Sequence, residues 1–348
     1  MSAAADGRLT VLICSPLEPE EVARIAAADP ARIEVLFEPE LLPVPRYVAD
    51  HNGIPPALDG GQLARWRGLL RRADVLFDFD WLEPERLPVT APNVRWIQAS
   101  SSGIGEFLAR TGLADSAIAI TTAAGLHGVP LAEFVALGLL YLTKEVPHLR
   151  EWQAGRRWER HTSRELAGQR MLLVGLGQVG RQIAATCAGL GLEVWGMRRT
   201  VSGSLPPGVA REVPRSALRE ALAEVDALVL ACPYTRETHH LIGTAEFAVM
   251  RASSIVVNVA RGPVIDEPAL IAALHEGRVA GAVLDVFEQE PLPPDSPLWV
   301  MPNVLVSPHS ASTVAAENGR LIDLFVDNLR RYLAGEPLRN RFDPSRAY

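Results

Sequence analysis

Short apolar runs alternate with longer stretches of helical period along this chain, in two successive blocks. In the first block, residues 9–14, 32–37, 74–79, 94–99 and 117–121 read as strands, and residues 18–28 and 62–72 as helices. A proline-rich stretch over 39–56 reads as loop. Strands that alternate with helices in this way predict a parallel sheet with crossover helices. Residues 130–143 follow as a long apolar-faced helix that reads as a connector, with Pro130 in the first turn, where a missing N–H is tolerated. The second block spans 171–308, with strands expected at 172–174, 193–197, 227–231, 254–258, 281–285 and 304–307 and helices at 181–190, 215–223 and 267–276. Six strands with helices between them predict a doubly wound sheet. A closing amphipathic helix, 315–333, is expected to return to the first block.

A length of 348 residues agrees with two domains. Hydrophobic residues make up 48% and charged residues 22%, which suits a water-soluble globular chain, and the net charge of −7 argues against nucleic acid or an anionic membrane surface as partner. No N-terminal charged-then-apolar signal and no membrane-length apolar run are present, and residues 1–8 read as a disordered tail. Cys14, Cys187 and Cys232 have neither metal-ligand nor disulfide spacing, so no metal is expected, and reduced thiols point to the cytoplasm.

The richest chemistry opens the second block. The strand 172–174 runs into Gly175-Leu176-Gly177-Gln178-Val179-Gly180, and a helix-like segment follows. In that context the glycines form a dinucleotide fingerprint: Gly175 for the tight turn, Gly177 for backbone approach to a pyrophosphate, Gly180 for close helix–strand packing. The helix N-terminus adds unpaired N–H groups and the positive end of its dipole. The next strand ends in Arg198-Arg199-Thr200, where NAD-binding folds place an Asp or Glu for the ribose 2′-hydroxyl. A guanidinium cannot accept that proton but forks readily onto a 2′-phosphate, so NADP(H) is favoured, with NAD(H) still possible. Arginine is common everywhere in this chain, Lys144 being the only lysine among 34 basic residues. The missing acid therefore carries more of the argument than the Arg itself.

Three further residues lie at or beyond the C-terminal ends of later strands, where ligands sit in open α/β sheets. Arg261, beside Gly262, can fork onto a carboxylate and a neighbouring carbonyl, unless it is simply paired with Asp266. Glu290 and His309 form a possible carboxylate–imidazole pair, suited to general acid–base work on a carbonyl or alcohol.

With these residues in order, the chain resembles the D-isomer-specific 2-hydroxyacid dehydrogenases over nearly its whole length. The matching stretches are 175–180, 232–238, 258–266, 284–292 and 296–309. The resemblance implies two doubly wound parallel-sheet α/β domains with a cleft between them: a Rossmann NAD(P)-binding domain over 126–311 and a flavodoxin-like substrate domain over 1–125 and 312–348. It implies Arg261, Glu290 and His309 as the catalytic set. Cofactor contacts would come from Gly175, Gly177, Gln178, Val179, Gly180, Arg198, Arg199, Thr200, Cys232, Pro233, Thr238, Val259, Ala260, Asp285 and His309, with Asp285 near the nicotinamide carboxamide. Substrate contacts would come from Ser101, Ser102, Gly103 and Arg261. A homodimer with residues 131–143 near the contact is the family expectation.

Departures narrow the expectation. Gly105 stands where the family's substrate loop often carries Asp, and Phe134 where a His often follows Ala-Glu. Glu290, where formate dehydrogenases of the superfamily carry Gln, argues against formate oxidation. Because the sequence stops soon after the closing helix, the regulatory C-terminal domain of long phosphoglycerate dehydrogenases is not expected. The reading is thus an NADPH-linked reductase of a small 2-oxo acid, of glyoxylate or hydroxypyruvate type. The rivals are a dehydrogenase of phosphoglycerate or a bulky 2-oxo acid, and a dinucleotide-sensing protein like the corepressors that share the fold.

Overall fold

The computed structural model describes residues 7–201 and 203–344; of the tail expected over 1–8, the first six residues lie outside this range. The chain divides into two compact units, residues 1–126 with 313–348, and residues 127–312.

In the first unit, strands β1 (Leu9–Ile13), β2 (Ile33–Leu36), β3 (Val75–Phe77), β4 (Trp96–Gln98) and β5 (Ala119–Thr121) pair in parallel in the order β2-β1-β3-β4-β5. This is the flavodoxin-like order, with its switch point between β1 and β3. Val11, Leu12, Ile13 and all of β3 are buried, because helices cover both faces of a parallel sheet. Those elements include α1 (Pro19–Ala26), α2 (Gly60–Arg72), α3 (Leu87–Thr90) and α4 (Gly105–Thr111). α2 begins where it does because Asp59 and Gln62 cap each other: the Gln62 N–H donates to Asp59 Oδ1 at 2.8 Å and the Asp59 N–H to Gln62 Oε1 at 2.9 Å. The stretch 39–56 is mostly irregular, as expected. It is pinned by buried Asp50, which accepts from the Arg46 guanidinium and from the Arg46 and Gly53 N–H groups, and these hold its carboxyl well below the usual range.

The second unit begins with α5 (Gly128–Thr143) and α6 (Val146–Ala154), then β6 (Arg170–Val174), α7 (Gln178–Gly189) and β7 (Glu193–Met197). It continues with β8 (Val209–Val213), α8 (Leu218–Glu224), β9 (Ala227–Leu230), α9 (Thr244–Phe247), β10 (Ile255–Asn258), α10 (Glu267–His275), β11 (Gly281–Leu284) and β12 (Val304–Val306). All seven strands run parallel, in the order β12-β11-β10-β9-β6-β7-β8. Counted within the unit this is the Rossmann order, extended by one strand, and it reverses between β6 and β9. The six strands expected from sequence become seven because β8 is an edge strand. Only Val209 and Val213 of its five residues are buried, and two charged residues interrupt any apolar run.

The helix α11 (Glu317–Ala334) belongs to the first unit again. Its Asn328 is buried and donates to Gln98 Oε1 at 3.2 Å, and the Thr121 hydroxyl donates to the same oxygen at 2.8 Å. Trp96 Nε1 donates to the Thr121 hydroxyl at 2.8 Å, which joins Asn328, Gln98, Thr121 and Trp96 in one buried hydrogen-bond network. Leu321, Ile322, Phe325 and Leu329 complete the packing on that side of the first sheet.

Candidate active site

The phosphate turn is built by close approach of backbone. Gly175 has φ +105, and a β-carbon there would lie 2.6 Å from the Ala231 carbonyl oxygen, at the point where β6 and β9 diverge. A β-carbon on Gly180 would lie 1.9 Å from the Gly175 carbonyl oxygen. α7 therefore starts at Gln178, directly after Gly177 and three residues earlier than periodicity suggested. On Gly177 a β-carbon would meet nothing within 4 Å, so its missing side chain leaves open space over the N-terminus of α7. That open, N–H-lined approach fits a pyrophosphate.

Arg198 follows β7, half-buried, while Arg199 and Thr200 are exposed. Sequence inspection found no acid at this strand end, but the tertiary structure supplies one. Arg198 Nε donates to Glu212 Oε1 of β8 at 2.5 Å, and an Nη of Arg198 donates to the Ser204 carbonyl at 2.8 Å. Nothing local could have revealed this, since β8 itself was not read.

At the far side of the switch point, the segment after β9 is closed on itself. The Thr238 hydroxyl donates to the Pro233 carbonyl at 2.8 Å and accepts from the Thr235 N–H at 2.8 Å. Buried Cys232 has its thiol pushed up to about 11 by burial, so it is an inert wall. Val259 and Ala260 are buried after β10. Asp266, the alternative partner weighed for Arg261, accepts at Oδ1 from the Ala269 N–H at 3.1 Å and caps α10.

Gly262 is the reason Arg261 stands by the carboxylate loop. A β-carbon there would fall 1.8 Å from the Phe287 carbonyl oxygen, so the segment after Arg261 lies directly against residues 287–288. In that loop the Phe287 N–H donates to Glu290 Oε1 at 3.1 Å, and Glu290 Oε2 meets His309 Nδ1 at 2.7 Å. Burial pushes the Glu290 carboxyl up. The hydrogen bonds from His309 and the Phe287 N–H, with the charges of His309 and Arg261, outweigh it and hold the group below its ordinary value. Glu290 thus stays an anion, and His309 Nδ1 is committed to it, which leaves Nε2 for another partner.

His309 has φ 52, a left-handed conformation uncommon for a residue with a β-carbon. Its loop is held by Asp285, 2% exposed, whose Oδ1 accepts from the Ser307 hydroxyl at 2.6 Å and from the Ser310 and Ala311 N–H groups at 2.8 and 2.9 Å. Asp285 was expected at the cofactor; the role its geometry displays is to position the His309 loop. Asp285→Ala would take the shared acceptor from the Ser307 hydroxyl and from the part-buried Ser310 and Ala311 N–H groups. It should cost about 1–2 kcal/mol of stability and lower turnover, whereas Asp285→Asn, whose amide oxygen still accepts, should lose clearly less. A chemical-denaturation midpoint for both variants checks this, and equal losses would remove the positioning role. In the first unit, Ser101 and Gly103 are exposed and Ser102 half-exposed, just after β4, where the Ala123 N–H donates to the Ser101 carbonyl at 3.1 Å.

Residues 136–311 match the family described as D-isomer specific 2-hydroxyacid dehydrogenase, NAD binding domain. The chain belongs to this dehydrogenase family. It is 41% identical over 182 residues to a glyoxylate/hydroxypyruvate reductase B of an Enterobacter species, 52% of this chain and 55% of that protein. It thus aligns with about half the length of the curated relatives it matches first. Solved structures are similar over nearly the whole chain. A D-isomer specific 2-hydroxyacid dehydrogenase of Xanthobacter autotrophicus, in complex with NADPH and MES, is 29% identical with a TM-score of 0.76, covering 99% of this chain and 100% of that one. An NADPH-dependent glyoxylate/hydroxypyruvate reductase of Sinorhizobium meliloti, in complex with NADP and sulfate, is 25% identical with a TM-score of 0.76, covering 98% and 100%. The glycine turn, the carboxylate–histidine pair and neighbouring Arg261 all lie beyond the C-terminal ends of parallel strands in one unit, the one that the NAD binding domain family matches.

Proposed function

We propose that the protein reduces a small 2-oxo acid of glyoxylate or hydroxypyruvate type to the D-2-hydroxy acid, using NADPH in preference to NADH. The observation that carries this reading is the His309–Glu290 pair at 2.7 Å, with Arg261 brought against the same loop through Gly262. The names of the curated relatives and of the Sinorhizobium structure support the substrate class and the cofactor.

Arg261 binds the substrate carboxylate and polarises the carbonyl oxygen. When bound, the reduced nicotinamide supplies the hydride that reaches the carbonyl carbon. His309 donates the proton on Nε2 to the oxygen as it gains charge, and Glu290 holds the ring by Nδ1 and balances its positive form. The product gains one hydride and one proton. Gly175, Gly177, Gln178, Val179 and Gly180 hold the pyrophosphate, Arg198 to Thr200 the 2′ position, and Cys232, Pro233, Thr238, Val259, Ala260 and Asp285 border the rest of the dinucleotide. Ser101, Ser102 and Gly103 are assigned to the substrate in the same proposal. A cytoplasmic homodimer is part of it too: the three cysteines are free thiols, and α5 leaves Val129, Leu137 and Leu140 exposed.

The test is the initial rate of nicotinamide oxidation with NADPH and NADH on glyoxylate and hydroxypyruvate. Faster turnover with NADPH is the expected result. Turnover confined to NADH would remove the cofactor preference and keep the reaction. Inactivity on both acids with either cofactor would overturn the substrate class.

A further inference from the structure

The Arg198–Glu212 pair bears directly on which dinucleotide this site admits. Glu212 lies on the edge strand β8, in register with Gly196 of β7, two residues before Arg198. Its side chain is 8% exposed and that of Arg198 20%, so the pair is sheltered and the carboxylate is fixed to the sheet. Arg198 enters the 2′ position with one of its edges already committed to that carboxylate and to the Ser204 carbonyl. The Glu212 carboxylate offsets the charge of the Arg198 guanidinium at a strand end where the local sequence shows only cations.

A 2′-phosphate carries about −1.5 to −2 charges at neutral pH, whereas a 2′-hydroxyl is a neutral donor. A fixed carboxylate next to the guanidinium repels the first and accepts from the second. We propose that Glu212 is a specificity-determining residue that holds down affinity for the 2′-phosphate and keeps NAD(H) within the enzyme's range. The inference rests on the reading of Arg198 as a 2′-position contact, and it finds on β8 the acidic group that the strand end of β7 lacks.

Three variants of the full-length protein separate charge from shape. Glu212→Gln keeps an amide oxygen for Arg198 Nε and removes the charge. Glu212→Asp keeps the charge, and Arg198→Gln removes the guanidinium. The readout is calorimetric binding of 2′,5′-ADP and 5′-AMP, which sample the adenosine half without turnover. In Glu212→Gln the preference for 2′,5′-ADP over 5′-AMP should rise roughly five- to tenfold, as expected for removing one like charge near a partly sheltered dianion. Glu212→Asp should stay within about twofold of the parent preference, since the charge that sets it is retained. An unchanged preference in Glu212→Gln would overturn the proposal, and so would a fall, which would mean that the carboxylate serves the phosphate by orienting Arg198. If Arg198→Gln binds 2′,5′-ADP as well as the parent does, the reading of Arg198 fails and takes the inference with it. That result is distinguishable, because it appears in a variant with Glu212 intact.

Discussion

His309→Gln should lower turnover of a 2-oxo acid by about 10³-fold or more, as expected for loss of a general acid, while binding of NADPH stays within a few-fold. Glutamine fills the same space but has no proton to release to an alkoxide. The variant also tests the electrostatics of the pair. Glu290 is held below its ordinary value partly by His309, so in the variant burial should move its titration upward, which NMR of labelled glutamate can follow. The sign for stability is that of a depressed carboxylate. The contribution is present above the ordinary value and is lost only as pH falls through the depressed one. Both partners are more than a third exposed, so that contribution is small and fold loss is not the expected cause of inactivity. Retained turnover in a folded variant would remove His309 from the acid role.

Arg261→Gln should lower kcat/KM by about 100-fold or more, the usual cost of removing a donor aimed at developing negative charge. Arg261→Lys keeps the charge but loses the planar fork, so it should fall between the variant and the parent. Turnover of substrate analogues lacking the carboxylate should respond much less, because the fork has one fewer group to hold. If Arg261→Gln folds normally and keeps parent kinetics, the substrate carboxylate is bound elsewhere and the mechanism proposed for this site fails.

Much of this protein is legible in the chain because its determinants are local. Parallel strands covered on both faces are nearly continuous apolar runs, so β1, β6, β9, β10 and β11 stand out without any partner. The glycine turn is legible for the same reason: Gly175 and Gly180 are required by contacts within a few residues or with the adjacent strand. The elements that escaped sequence inspection are short or bordered by polar residues and prolines. α4, α6 and α9 are of this kind, and so is β8, whose charged positions are tolerated only because it lies at the sheet edge.

Sequence order alone determined the family and the two α/β sheets, and it singled out Arg261, Glu290 and His309 as candidates, because apolar runs and the motifs that follow strand ends are local and keep their order along the chain. Only the tertiary structure decided how those residues work together. Gly262 against Phe287 brings Arg261 to the Glu290 loop, Asp285 shapes the loop that presents His309, and Glu212 arrives at Arg198 from a neighbouring strand. The physical reason is common to all three. Each depends on hydrogen bonds and close backbone approach between segments 14 to 26 residues apart, and the distances that make them strong are set by sheet register and not by neighbours in the chain.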